Sequence, residues 1–285
     1  MSTAERITEI CTFHGEGPFW DDRGDDRLLF VDMLAGDVME LDAQGEVLRH
    51  PVADVAAVVR AREQGGYVMG IDRGFAFVAQ DFSRVDRLPA AFADPAVRMN
   101  EGGCDPQGRF YCGSMDYDQA AGRGSLYCLK PDGSVRVVVE NVTVSNGLRW
   151  SADGATAYYV DTPLGRIDAF DFDGATGAFS NRRPFAQIAP GPGGPDGLAI
   201  DSEGGLWVAI WGGSAVHRYG PSGALDAVVQ VDAPHVTACS FGGADLDTLY
   251  ITTSRDGVDD SDTTSGSLFS FRPGVSGLPE PAYAG

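Results

Sequence analysis

Carboxylate and amide side chains recur at one fixed distance from a repeated glycine in this sequence. Five glycines within polar turns lie 42, 42, 46 and 50 residues apart, at Gly24, Gly66, Gly108, Gly154 and Gly204. The position eight residues before each glycine carries a side-chain oxygen in four of the five cases. These positions are Glu16, Val58, Asn100, Asn146 and Asp196.

Oxygen donors of this kind suit a hard divalent cation. Carboxylate and amide oxygens bind Ca²⁺, Mg²⁺ and Mn²⁺, and zinc also accepts them. Glu16, Asn146 and Asp196 together carry a charge of −2, which would neutralise one divalent ion. An isolated Asn-Gly or Asp-Gly pair usually marks a hairpin turn, but that interpretation explains neither Glu16 nor the shared register. We therefore predict one metal site, for Ca²⁺, Zn²⁺, Mg²⁺ or Mn²⁺, formed by these three residues.

The elements that must position these residues are short β-strands. Each turn glycine lies between a short apolar stretch and a β-prone run such as LLFVD, TAYYVD or LWVAIW, and another turn and strand follow. A sixth copy is FGGADLDTLYITT (241–253), with its turn near Asp245. Four short strands in every 40 to 50 residues are typical of propeller blades.

The repeat predicts an all-β fold: a six-bladed β-propeller with four-stranded antiparallel blades around a central channel. We expect a single domain spanning residues 1–285, in which the N-terminal segment closes the ring beside the C-terminal strands. The starts of the first strands would then converge at one end of the channel. A pair of two-sheet sandwiches is the alternative, but it does not explain the spacing.

Composition and charge narrow the function further. The net charge of −20 argues against nucleic acid and anionic membrane surfaces as partners. The N-terminus MSTAERITEI lacks the basic start and apolar run of a signal peptide, so a cytoplasmic protein is expected. The five cysteines form no CxxC pair, which favours neither a disulfide framework nor a zinc ribbon.

Motifs along nearly the whole chain resemble the senescence-marker/gluconolactonase family, which includes regucalcin-like sugar lactonases. They are GEGPFW (15–20), RMNEGGCDPQGRFYCGSM (98–115), SNGLRWSADGATAYYVDT (145–162), DAFDFDGATGAFSNRRPF (168–185) and PDGLAIDSEGGLWVAIWGG (195–213). The resemblance implies metal-dependent hydrolysis of a sugar lactone, such as gluconolactone, to the aldonic acid. It also implies that Glu16, Asn146 and Asp196 hold the cation.

The same resemblance implies roles in substrate binding and catalysis. Arg98, Asn100 and Asp118 match the family's substrate-contact pattern, and Asp196 matches its proposed general base. Asp118 stands where relatives can carry Glu, and Glu101 stands where Asp is common. Both departures keep the charge but change the reach of the side chain, and with it the sugar preference.

Two other functions remain open at this point. Related propellers with a similar cation suggest a phosphotriester or aryl-ester hydrolase, and a non-catalytic calcium-binding propeller is the alternative from another class. A serine hydrolase is disfavoured because Ser145 and Ser214 lack the G-x-S-x-G elbow. The expected partner is a small-molecule sugar lactone.

Overall fold

Six antiparallel sheets follow one another along the chain and form the six blades of a β-propeller. The computed structural model describes residues 2–24, 26–189, 191 and 193–285. Across these ranges the helices are two short 3₁₀ turns, Met33–Ala35 and Thr162–Leu164, and none has the length and apolarity that a membrane span requires. The predicted all-β, six-bladed architecture is confirmed.

The strands are as follows. Two short N-terminal strands come first, β1 (Ser2–Thr3) and β2 (Glu5–Arg6). Blade 1 contains β3 (Gly15–Asp21), β4 (Arg27–Asp32), β5 (Asp37–Leu41) and β6 (Val47–Pro51). Blade 2 contains β7 (Ala56–Ala61), β8 (Tyr67–Ile71), β9 (Gly74–Val78) and β10 (Val85–Arg87). Blade 3 contains β11 (Val97–Cys104), β12 (Phe110–Asp116), β13 (Gly124–Leu129) and β14 (Val135–Val142).

Blade 4 contains β15 (Ser145–Trp150), β16 (Thr156–Asp161), β17 (Arg166–Asp173) and β18 (Ala178–Gln187). Blade 5 contains β19 (Gly194–Ile200), β20 (Leu206–Trp211), β21 (Ala215–Tyr219) and β22 (Leu225–Gln230). Blade 6 contains β23 (Val236–Gly242), β24 (Thr248–Thr253) and β25 (Phe269–Phe271), and β2 is its outer strand.

The repeated turn glycines join the first and second strands of blades 1 to 5, and the sixth turn surrounds Asp245. Gly66 shows why the residue type matters. Its φ is +68°, and a Cβ atom there would lie 2.3 Å from the carbonyl oxygen of Val78. Glycine favours this left-handed conformation, and no residue with a Cβ atom would tolerate so close a backbone.

The N-terminal segment closes the ring, as the sequence predicts. Strand β2 pairs antiparallel with β25, and β1 runs parallel to β22 as a fifth strand of blade 5. The first residues of the chain are thus hydrogen-bonded to its last two blades, which covers edges that would otherwise be exposed.

The hydrophobic core is divided among the interfaces between neighbouring blades. The described residues form six apolar clusters, one between each successive pair of blades around the ring. Trp150 and Tyr159 pack between blades 3 and 4, and Trp207 packs between blades 5 and 6. Each blade is therefore held by both of its neighbours, which gives the channel a rigid wall.

The last residues cross the channel at the end opposite the predicted metal site. In this C-terminal strap (residues 277–285), Leu278 N donates to Ile200 O of blade 5, and Tyr283 N donates to Ala61 O of blade 2. Between these anchors Glu280 forms ion pairs with Arg60 Nε (2.8 Å) and Arg149 Nη2 (2.9 Å). The Arg60 side chain is fully buried, so the strap supplies the counter-charge for buried cations.

Loss of the Glu280 carboxylate should therefore destabilise the whole propeller. Glu280→Ala is expected to lower the free energy of unfolding by about 3 kcal/mol, because it leaves two buried guanidinium groups without this partner. Urea denaturation measures the change. The matched control is Glu203→Ala, whose exposed carboxylate pairs with Arg218 and should contribute less than about 1 kcal/mol. Equal losses in the two variants would contradict the role of the strap.

Candidate metal and substrate site

A β-bulge interrupts the first strand of every blade near its start. In blade 1 the bulge follows Glu16, in blade 4 it contains Asn146, and in blade 5 it contains Asp196. A bulge changes the direction of its side chain relative to the regular alternation of a strand. The repeated position in the sequence is thus a repeated bulge, and its side chains converge on one cavity, lined by Glu16, Asn100, Asn146 and Asp196.

Glycines beside these residues let the first strands approach closely. A Cβ atom on Gly147 would lie 2.4 Å from the Leu198 side chain, and one on Gly197 would lie 2.5 Å from the Ala238 side chain. Both distances are far below van der Waals contact. The glycines that follow Asn146 and Asp196 are therefore required by the packing of neighbouring blades at the channel. Gly17, which follows Glu16, has room for a Cβ atom, but its φ of +54° favours glycine.

Buried aspartates at the ends of the second strands hold the entry to the site. Asp32 accepts hydrogen bonds from the backbone N–H groups of Phe13 (3.1 Å) and His14 (3.0 Å). Asp161 accepts bonds from Thr143 (3.2 Å) and Val144 (2.9 Å). These bonds secure the residues that immediately precede the first strands of blades 1 and 4, and so they help to position the predicted ligands on those strands.

Two carboxylates, Glu16 and Asp196, are buried together in the cavity, with 2% and 5% exposure. Burial, followed by the neighbouring charge of Glu101, raises the pKa of Glu16 to about 8. Burial and the charge of Glu16 raise the pKa of Asp196 well above its usual range. Asp196 Oδ1 is buried without a hydrogen-bond partner among the described residues. The pair therefore lacks sufficient compensating positive charge.

The amide of Asn146 is oriented by its neighbours. Its Nδ2 donates to Thr162 Oγ1 (2.7 Å), and its Oδ1 accepts a bond from Asn100 Nδ2 (2.9 Å). An amide oxygen has two lone pairs, so one remains for a ligand. The Thr162 hydroxyl in turn donates to Pro195 O (2.8 Å), which links blades 4 and 5 directly beside Asp196.

The three predicted ligands fit a divalent cation. They combine two buried carboxylates, one of them with an unpartnered oxygen, and an amide oxygen already turned by its hydrogen bonds. A cation would offset the charge repulsion that raises both carboxyl pKa values. Because the third donor is an amide, the set contains only two carboxylates. Within the described part of the chain, no group of three or more His, Cys, Asp or Glu side chains is placed to hold a metal ion.

Arg98 and Asn100 form a second, adjacent group in the cavity. Arg98 Nη1 donates to Asn100 Oδ1 (2.6 Å), and Asn100 Nδ2 also donates to Ser145 O (2.7 Å). Burial lowers the pKa of the Arg98 guanidinium, while the negative charges of Glu16 and Asp196 act in the opposite direction. The structure thus brings five of the six predicted site residues together: Glu16, Arg98, Asn100, Asn146 and Asp196.

Asp118 lies outside this group. Its side chain is exposed, and its backbone N–H donates to Asp116 Oδ1 (2.8 Å). The next residue, Gln119, has a φ of +55° and lines the cavity instead. The left-handed turn at Gln119 therefore presents an amide, and not the Asp118 carboxylate, beside Arg98 and Asn100.

The rest of the cavity wall consists of residues that the repeat does not identify. The cavity has a volume of about 120 Å³. Its additional lining residues are His14, Met115, Gln119, Val144, Thr162, Trp211 and Asp256. Burial, Arg98 and His235 lower the pKa of His14 to about 3, so this imidazole is neutral at physiological pH. Trp211 stacks on His235 with ring centroids 4.2 Å apart.

Comparisons with known proteins identify the family and support the fold. The sequence profile of the SMP-30/Gluconolactonase/LRE-like region matches residues 14–255. Regucalcin of Xenopus laevis is 35% identical over 288 residues, which cover 95% of each chain. A luciferin-regenerating enzyme has a similar structure, with a TM-score of 0.92, 28% identity and full coverage of both chains. A calcium-binding regucalcin from Agrobacterium tumefaciens gives a TM-score of 0.91 at 26% identity, covering 99% of this chain and 97% of its own. The chain belongs to the SMP-30/gluconolactonase/LRE-like family.

Proposed function

We propose that this protein is a divalent-cation-dependent hydrolase of sugar lactones. The observation that carries the proposal is the convergence of Glu16, Asn146 and Asp196 at one cavity, with Asp196 Oδ1 unpartnered among the described residues and Arg98 and Asn100 alongside. Membership of a family named for gluconolactonase supports the lactone as substrate. The buried carboxylates support the requirement for a cation.

The reaction adds water to the lactone carbonyl carbon, breaks its bond to the ring oxygen and transfers a proton to that oxygen. A divalent cation held by Glu16, Asn146 and Asp196 would polarise the carbonyl. Arg98 makes its hydrogen bonds within the described chain through Nη1, which leaves other guanidinium N–H groups to orient sugar hydroxyls. Asp196 has two carboxylate oxygens, so one can bind the cation while the other accepts a proton from the attacking water.

The test is hydrolysis of aldonolactones by metal-free protein resupplied with Ca²⁺, Zn²⁺, Mg²⁺ or Mn²⁺ in turn. We expect gluconolactone or a related aldonolactone to be hydrolysed only with a cation present, and faster than a phosphotriester or an aryl ester. Faster cleavage of those esters would favour the alternative hydrolase. Tight calcium binding without turnover of any of these substrates would favour a binding protein.

Asp196→Asn separates the site from the scaffold. The variant should lose more than about 100-fold in cation affinity, because even residues that only orient a ligand change affinity 10- to 100-fold. Its lactonase activity should be abolished. Without metal it should melt no lower than the metal-free native protein, because the substitution removes one of two buried like charges. Calorimetric titration, lactone assays and thermal melting measure these three quantities.

The matched control is Asp232→Asn, at an exposed residue in the connection between β22 and β23. It should keep native cation affinity, activity and melting temperature. Near-native activity in Asp196→Asn, or the same loss in both variants, would refute the assignment of Asp196.

Arg98→Ala distinguishes substrate binding from metal binding. We expect kcat/KM to fall roughly 10- to 100-fold through loss of hydrogen bonds from a charged donor. Cation affinity should be unchanged or higher, because a positive charge beside Glu16 and Asp196 is removed. If the variant instead lost its metal but recovered normal kinetics with excess cation, Arg98 would serve metal binding and not substrate binding.

A further inference from the structure

One acid that lines the cavity makes no side-chain bond within the described part of the chain. Asp256 lies in the loop after β24, is exposed, and lines the cavity. Its backbone is held on both sides: its N–H donates to Ser254 Oγ (3.0 Å), and its carbonyl oxygen accepts a bond from His235 Nδ1 (2.8 Å). Among the described residues its carboxylate takes part in no hydrogen bond or ion pair.

Two other acids of the same loop, Asp259 and Asp262, behave differently. Asp259 Oδ1 accepts bonds from the N–H and hydroxyl groups of Ser261 (2.9 and 2.6 Å), and Asp262 Oδ1 accepts bonds from the N–H groups of Thr264 (2.9 Å) and Ser265 (2.6 Å). These carboxylates form the turns of the loop. Of these three acids, only Asp256 has a carboxylate that is left available to a molecule in the cavity. The fourth acid of the loop, Asp260, is exposed and does not line the cavity.

An aromatic surface lies beside the Asp256 carboxylate. Trp211 lines the cavity and stacks on His235 at an interplanar angle of 10°, and His235 is the residue that holds the Asp256 carbonyl. The indole ring, the imidazole and the loop backbone thus form one connected wall. A flat apolar ring next to a free carboxylate suits a sugar, which presents C–H faces for the ring and hydroxyl donors for the acid.

The charge of Asp256 acts on the site as well. The negative charge of Asp256 is among those that favour the cationic form of Arg98. The two side chains therefore interact electrostatically. Among the described residues, the cavity wall carries three acids, Glu16, Asp196 and Asp256, against one cation, Arg98. One divalent ion makes this set neutral. A substrate with a phosphate or carboxylate near Asp256 would add negative charge, and no positive charge of the wall would remain to balance it.

We propose that Asp256, with Trp211 beside it, is a specificity-determining residue. It accepts hydrogen bonds from hydroxyl groups on the part of the sugar lactone farthest from the carbonyl, and it excludes lactones that carry an anionic group there. The substrate class is then the uncharged polyhydroxylated lactones. This inference rests on the proposed lactonase function and concerns the opposite end of the same substrate.

The test compares glucono-1,5-lactone with its 6-phosphate in the cation-loaded native protein and in Asp256→Asn. The native protein should strongly prefer the uncharged lactone. In the variant, kcat/KM for the uncharged lactone should fall roughly 10-fold, mainly through KM. The value for the phosphorylated lactone should rise, and cation affinity should stay within about threefold of the native value.

Asp259→Asn is the matched control, three residues further along the same loop. It should leave kcat/KM unchanged for both lactones. A direct binding measurement, which needs no turnover, should show the same changes in Asp256→Asn: weaker binding of glucitol and tighter binding of glucitol 6-phosphate. If the native protein hydrolyses gluconolactone but Asp256→Asn keeps the native preference, the inference is overturned and the proposed function stands. If the native protein hydrolyses no lactone with any cation, the proposed function falls and this inference falls with it.

Discussion

Two like charges buried side by side are the constraint on which the functional end of this propeller depends. Glu16 and Asp196 come from blades 1 and 5, far apart in the chain, yet both are almost fully buried in one cavity. Isolated buried carboxylates are unfavourable unless they are protonated, paired or bound to a cation. Arg98 is the cationic side chain of the cavity wall, so a divalent ion is the simplest way for both acids to remain ionised.

The propeller makes this arrangement possible because its rigidity is independent of the site. Apolar clusters between successive blades hold the ring, and the first strands only need to present a bulge at the channel. Gly147 and Gly197 allow those strands to approach, while Asp32 and Asp161 secure the residues before the bulges. The site thus follows from a backbone irregularity repeated in register, with side chains that vary from blade to blade.

This repetition explains why much of the site can be predicted from the sequence. Spacing from the turn glycines identifies Glu16, Asn100, Asn146 and Asp196 because each blade has the same first hairpin, and the structure places all four at the cavity. The same rule gives Val58 in blade 2, where the register shift lies between Ala56 and Val58 and presents no oxygen donor. The period of the repeat therefore predicts where a side chain lies. It predicts a binding role for that side chain only where the residue is polar.

Residues outside the repeat could not be predicted in this way. Whether Asp118 or Gln119 faces the cavity depends on one left-handed residue in a loop, and no sequence period determines that conformation. Asp201 shows a related limit. By sequence it is an acid of a blade turn, yet it is fully buried and accepts bonds from Gly205 N, Trp207 Nε1 and Arg218 Nε. A turn acid can thus be as important to the fold as a ligand is to function.

The charges along the channel connect its two ends. Beyond the candidate metal site lies Glu101, whose pKa burial raises to about 7 while Arg149 and Arg60 act to lower it. The same two arginines pair with Glu280 of the strap. Charged side chains therefore extend from the cavity, through Glu101 and the two arginines, to Glu280 at the far end of the channel. Without the acid from the strap, both guanidinium charges would fall on Glu101 alone, and their repulsion would extend to any cation held above it. Closing the channel with a carboxylate consequently stabilises the fold and keeps the interior electrostatically suited to a cation at the other end.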